Sequence, residues 1–236
     1  MPKHLSPLPD GVRETVEELR GRLGLFSFRN HAETAGAAVL EAESPELGIR
    51  AGGIVEWLVA KPGAGAVTCA LQTMSRSASG DGVWAFVDWA WQCYPPALSG
   101  WGISPSQTLL IRPASRLEVS WAVEQCLRCP GVAVTWAWID QRIPARVHRR
   151  WQLAAETGGG TGVFFRPESA RREPVWADLR LLITPRSGGQ SEARQVEIDV
   201  LYRQGGLGGT TQVWEIDHAA GVVRLVPELV DPAIAE

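Results

Sequence analysis

Residues 52–72, GGIVEWLVAKPGAGAVTCALQ, decide the fold. An apolar run leads through a proline and two glycines into a run with helical character. Strand, glycine-rich turn and helix together are the layout of a phosphate-binding loop, whose backbone N–H groups and helix N-terminus cradle phosphate oxygens. The full pattern is G-x-x-x-x-G-K-[ST], in which the lysine neutralises phosphate charge and the hydroxyl holds Mg²⁺. With the second glycine placed on Gly65, Ala60 stands at the first glycine, Ala66 at the lysine and Val67 at the hydroxyl residue. Thr68 comes one residue late, so its side chain starts in another direction on the helix. Lys61 falls where some deviant loops carry an early second lysine, but those loops keep the later lysine too. Lys61, Gly63, Gly65 and Thr68 therefore read as a vestigial nucleotide site, and an exposed turn lysine is the plainer account of Lys61.

Beyond the loop, strand and helix signals alternate. GVWAFVDWA, QTLLIRP, GVAVTWAWID and TGVFFRP read as strands. Between them lie a short proline-started helix at YPPALSGWGI and the helices SRLEVSWAVEQCLRC and IPARVHRRWQLAAETGG. In the second of these, Leu117, Trp121 and Leu127 are expected to point inward, and Ser115 with Glu118 forms a capping-box pattern. Short apolar strands separated by helices predict a largely parallel sheet covered on both faces. The pattern then changes: DLRLLITP, RQVEIDVLYRQ, TTQVWEID and GVVRLVP follow one another without helices, which predicts antiparallel additions. DHAAG (217–221) and GGLGG (205–209) are hairpin loops in this reading; the second lacks the strand–helix context of a dinucleotide fingerprint.

Upstream, PDGVRETVEELRGRLGLF places Val12, Val16, Leu19 and Leu23 on one helical face, followed by a small, polar connector. The chain thus divides into an N-terminal helix and linker (1–45), an α/β core (46–186) and an antiparallel extension of the same sheet (187–236).

Composition narrows the partners. A net charge of −3 excludes a protein that is basic overall, so any nucleic acid must meet a local patch. All but two of the 23 basic residues are arginine, which weakens arginine as a functional signal. The start MPKHLSPLPDGVRE has no apolar signal core, and no stretch approaches the roughly 20 apolar residues of a membrane span. A cytoplasmic protein with free thiols and no membrane partner is expected. Cys126 and Cys129 form a lone C-x-x-C, and the four histidines have no ligand spacing, so no metal site is expected.

Three stretches carry a family resemblance: residues 52–72, VWAFVDWAWQCYPPALSGWGISPSQTLLIRPAS (83–115) and HRRWQLAAETGGGTGVFFRP (148–167). With the tail VEIDVLYRQGG and WEID, they resemble the RecA-like core, closest to its ImuA branch, also labelled SulA-like, across about residues 45–226. The resemblance implies a RecA-like α/β fold and an accessory role in SOS-induced, error-prone translesion DNA synthesis. Its implied partners are a Y-family-like polymerase relative and a replicative-type error-prone polymerase. It matches Asp88 to the aspartate ending the second core strand, but Ala90 stands where a water-activating glutamate is expected. The fourth strand offers Trp136, Ala137 or Trp138 where a metal-side acid is expected, and Asp140 comes too late. With lysine, hydroxyl and both acids missing or misplaced, the expectation is a pseudo-ATPase with no ATP or Mg²⁺ cofactor and no catalytic residue. The alternatives are a P-loop ATPase with a remodelled site and a SulA-like inhibitor of cell division.

Two further groups are candidates for partner or DNA contact. Trp84, Trp136 and Trp138 fill strand positions, whereas Trp89, Trp91 and Trp101 follow a strand's C-terminal end, where α/β folds bind ligands. Arg166, Arg171 and Arg172 surround the loop RPESARREPVW, and Arg146, His148, Arg149 and Arg150 begin a helix. Glu168 and Glu173 dilute that loop's charge, so DNA contact there is expected to be weak and salt-sensitive.

Overall fold

The structure is a computed structural model that describes residues 47, 49–77, 82–174, 176–186, 193–206, 208–217 and 222–226. The N-terminal helix expected before residue 45 lies outside the described residues. The apolar runs form strands β1 (Ile54–Val59), β2 (Val83–Val87), β3 (Thr108–Ile111), β4 (Val132–Trp138) and β5 (Thr161–Pro167). Helices α1 (Ala66–Ser77), α2 (Pro95–Leu98), α3 (Arg116–Arg128) and α4 (Ala145–Gly158) fall between them. Then come β6 (Leu179–Pro185), β7 (Arg194–Arg203), β8 (Thr211–Asp217) and β9 (Val222–Val226), with no helix among the described residues between them.

All nine strands join one sheet in the order β3-β2-β4-β5-β1-β6-β7-β8-β9. Pairings from β3 through β6 are parallel, and β7, β8 and β9 add antiparallel. The protein is therefore α/β with a mixed, mostly parallel sheet and an antiparallel C-terminal end, as the helix-free tail predicted. The β7–β8 turn holds Gly205 and Gly209 at positive φ, the backbone that GGLGG requires. Asp217 pairs with Val222 across the DHAAG loop, whose remaining residues lie outside the described ones. Among the described residues no helix is long and apolar enough to cross a membrane.

Alternation along the strands separates two cores. On one face, Val55, Trp57, Val134 and Trp136 pack with Cys69, Ala70 and Met74 of α1. Val196, Ile198, Trp214 and Ile216 of the antiparallel strands belong to this same cluster, so the extension completes the core. On the other face, Ala85, Val87, Ala137 and Phe164 pack under α3 and α4.

The expected inward face of α3 needs correction. Leu127 is buried, but Leu117 and Trp121 are 86% and 64% exposed. The buried stripe is Val119, Ala122, Val123, Cys126 and Leu127. Small residues let α3 approach α4, and Trp151 of α4 fills the space between them, donating its indole N–H to the Ser120 carbonyl at 3.0 Å. Trp121 lies off this contact, on the exposed side of α3. Ser115 does occupy the N-cap, but its side chain makes no cap bond. Glu118 instead accepts from the backbone N–H of Ala114 at 3.0 Å.

Candidate functional site

β1 lies between β5 and β6, so the loop after it opens at the C-terminal edge of the sheet's centre. A turn closes Lys61 to Ala64, whose N–H donates to the Lys61 carbonyl at 3.2 Å, and α1 begins at Ala66. Gly63 and Gly65 hold φ of +72° and +94°, which makes glycine the fitting residue at both. Gly65 is constrained twice, because a Cβ there would sit 2.7 Å from Cδ1 of Ile216. The antiparallel strands thus brace the loop from beside. The first turn of α1 carries no acidic residue, so its unpaired N–H groups and positive dipole end are not neutralised locally.

A cleft of about 590 Å³ lies over this helix end. Gly63, Gly65, Ala66, Val67 and Thr68 form one wall. Trp89 and Gln92 follow β2, Trp138 and Asp140 lie at the end of β4, Phe165 and Arg166 are on β5, and Arg194 opens β7. Trp138 and Phe165 stack with centroids 5.9 Å apart and planes 26° from parallel. The guanidinium of Arg116 lies 4.6 Å over the Trp89 ring and pairs with Asp140 at 2.6 Å. Trp89 is therefore held in place, and the acid nearest the cleft is already neutralised.

Sequence-predicted residues divide around this cleft. Gly63, Gly65 and Thr68 line it; Lys61 is exposed and is not among its lining residues. Asp88 does not line it either. That carboxylate is fully buried and accepts the N–H groups of Gln92 and Cys93, each at 2.8 Å. Its two oxygens shape the turn 88–93, which sends Trp89 into the cleft and leaves Trp91 70% exposed. Trp91 is the one non-glycine residue at positive φ among those described, and Arg112 lies 3.6 Å over its ring. Beside the turn, burial pushes the Cys93 thiol up to about 11, with the Asp88 charge adding to it.

Arg166 is a correction. Grouped by sequence with the exposed Arg171 and Arg172 as a DNA or partner contact, it is 2% exposed. It pairs with Glu173 at 2.6 Å and with Glu56 at 3.4 Å. His148, grouped with a surface basic cluster, is buried as well, while Arg146, Arg149 and Arg150 stay exposed. Both corrections have one cause: Glu56, in the middle of β1, is fully buried and collects the cations facing it. Arg180 of β6 donates its Nε–H to Glu56 at 2.7 Å and an Nη–H to the Glu173 carbonyl at 2.9 Å. The His148 ring lies 3.8 Å from Glu56. The sequence carried one signal of this network, namely single charges inside the otherwise apolar runs IVEWLV, VFFRP and LRLLITP.

Among the described residues no group of His, Cys, Asp and Glu is arranged to hold a metal ion. Cys126 is buried and Cys129 exposed, both as free thiols, and burial pushes Cys126 up to about 11. No known family model matches the chain, and neither does any curated protein sequence.

Proposed function

We propose that the protein is a RecA-like interaction module without ATPase activity, acting as an accessory factor in error-prone translesion DNA synthesis. The proposed partners are a Y-family-like polymerase relative and a replicative-type error-prone polymerase, as the resemblance implies. One observation carries the non-catalytic part: the loop keeps its turn and helix end while the charges that would serve a triphosphate are absent or engaged elsewhere. Ala66 and Val67 stand where lysine and hydroxyl belong. Both oxygens of Asp88 hold backbone N–H groups, and Asp140 is paired to Arg116. Phosphoryl transfer depends almost wholly on positioned charge and metal, so the residues present do not fit ATP·Mg²⁺. The sheet supports the RecA-like reading through its parallel centre and antiparallel end.

Titrating the purified chain with ATP·Mg²⁺, followed by calorimetry and Trp fluorescence, tests this. No micromolar binding is expected. Micromolar binding that Gly65→Val or Lys61→Ala abolishes would instead establish a nucleotide site with remodelled contacts. For the partners, a pull-down from DNA-damaged cells is expected to recover polymerases. Recovery of division proteins in their place would reject the mutagenesis role.

A further inference from the structure

The cleft has lost its triphosphate chemistry and kept a shape, an aromatic lining and a residual charge that define another ligand. We propose that it binds a small planar aromatic monoanion, a ring system bearing one carboxylate or sulfonate, without a metal ion. This rests on the reading that the site no longer serves a nucleotide.

Size comes first. A volume of about 590 Å³ lies within the roughly 300–1,000 Å³ of small-molecule pockets. The walls select the body of the ligand. Trp138 and Phe165 present a stacked aromatic pair, and Trp89 is pinned from outside by Arg116. Rings fixed in this way offer flat apolar contact with little ordering left to occur on binding.

Charge balance selects the polar end. Asp140 is neutralised by Arg116, and the charge of Arg166 by Glu56 and Glu173. Arg194 has no carboxylate partner among the described residues, so one full positive charge remains on the lining. Val196, Ile198 and Val200 share its side of β7 and pack in the core cluster with α1, so Arg194 lies on the α1 face. The acid-free N-terminus of the 12-residue α1 adds its partial positive charge. One unpaired cation and one helix end match a single anionic group. They do not match the several charges of a triphosphate.

The test uses 8-anilinonaphthalene-1-sulfonate as the aromatic anion and N-phenyl-1-naphthylamine, the same rings without the sulfonate, as the control. Energy transfer from tryptophan and calorimetry on the full chain are expected to show one site for the anion. The neutral probe should bind at least about tenfold more weakly, the loss expected for one charge-assisted hydrogen bond. Arg194→Gln should weaken the anion about as much. So should Val67→Glu, which puts an acid at the helix end; because that acid also favours the helix dipole, the variant should fold. Excess ATP·Mg²⁺ should displace nothing. Unchanged binding in both variants would place the dye on outer aromatics such as Trp91 or Trp121 and overturn the proposal. Equal affinity for the two probes, or no binding of the anion, would overturn it too. None of these results touches the non-nucleotide reading. Displacement by ATP·Mg²⁺ would overturn both.

Discussion

Gly65 shows at one residue how the loop outlives its chemistry. Its φ of +94° disfavours any side chain, and Ile216 of β8 occupies the place where a Cβ would go. Gly63 has a similar φ of +72° but open space around its missing Cβ. The pair separates backbone strain from packing. Gly63→Ala is expected to cost roughly 1–2 kcal/mol of stability, the price of left-handed backbone alone. Gly65→Ala adds a clash with Ile216 and should cost roughly 2–4 kcal/mol, read as a lower urea midpoint at unchanged slope. Equal losses would mean that Ile216 yields freely and that the antiparallel strands do not brace the loop. The positions of both glycines were legible from the sequence through the turn pattern. The reason Gly65 cannot vary was not, since Ile216 lies far along the chain.

At the scale of elements, periodicity located α3 and misjudged its face. Two templates fit SRLEVSWAVEQCLRC: a large-residue stripe through Leu117 and Trp121, and a small-residue stripe through Val119, Ala122, Val123 and Cys126. Hydrophobic size favours the first, but helix–helix distance decides for the second, and that distance is a property of α4. Gly158 records how close the helices come, since a Cβ on it would lie 2.1 Å from the Leu127 carbonyl oxygen. Trp151 should therefore carry the packing that the sequence assigned to Trp121. Trp151→Ala leaves a large buried cavity and removes the indole bond to the Ser120 carbonyl, and should cost about 3–5 kcal/mol. Trp121→Ala should stay within about 0.5 kcal/mol. Thermal unfolding of the two variants decides between the faces, and a large loss at Trp121 would restore the first.

Across the whole molecule, the strands were legible because each is a local apolar run, whereas the charges that tie them together were not. Glu56, Arg166, Arg180 and His148 stand on β1, β5, β6 and α4, and the two arginines are 110 and 124 positions from the glutamate they meet. No local pattern links them. Removing the shared acid should be severe: Glu56→Gln leaves the buried Arg180 with backbone carbonyls and Arg166 with Glu173, a loss of about 3–5 kcal/mol. The same network makes stability depend on pH through His148. Burial holds its pKa below the ordinary 6.5; Glu56 opposes that shift, and Arg166 and Arg180 reinforce it. Above about pH 6.5 the imidazole is neutral in both folded and unfolded chains, and its environment costs nothing. As pH falls below 6.5 the unfolded chain takes up the proton first, so stability declines until the folded ring protonates as well. The decline is at most about 1.4 kcal/mol per pH unit for one group. His148→Phe keeps a ring beside Trp151, where the imidazole now packs edge-on with centroids 5.6 Å apart, and removes the titration. Urea midpoints at pH 7.5 and 5.5 should then differ less in the variant than in the parent. An equal difference in both would show that His148 charges as readily in the folded protein as in the unfolded chain, and that neither its burial nor the nearby arginines hold it neutral.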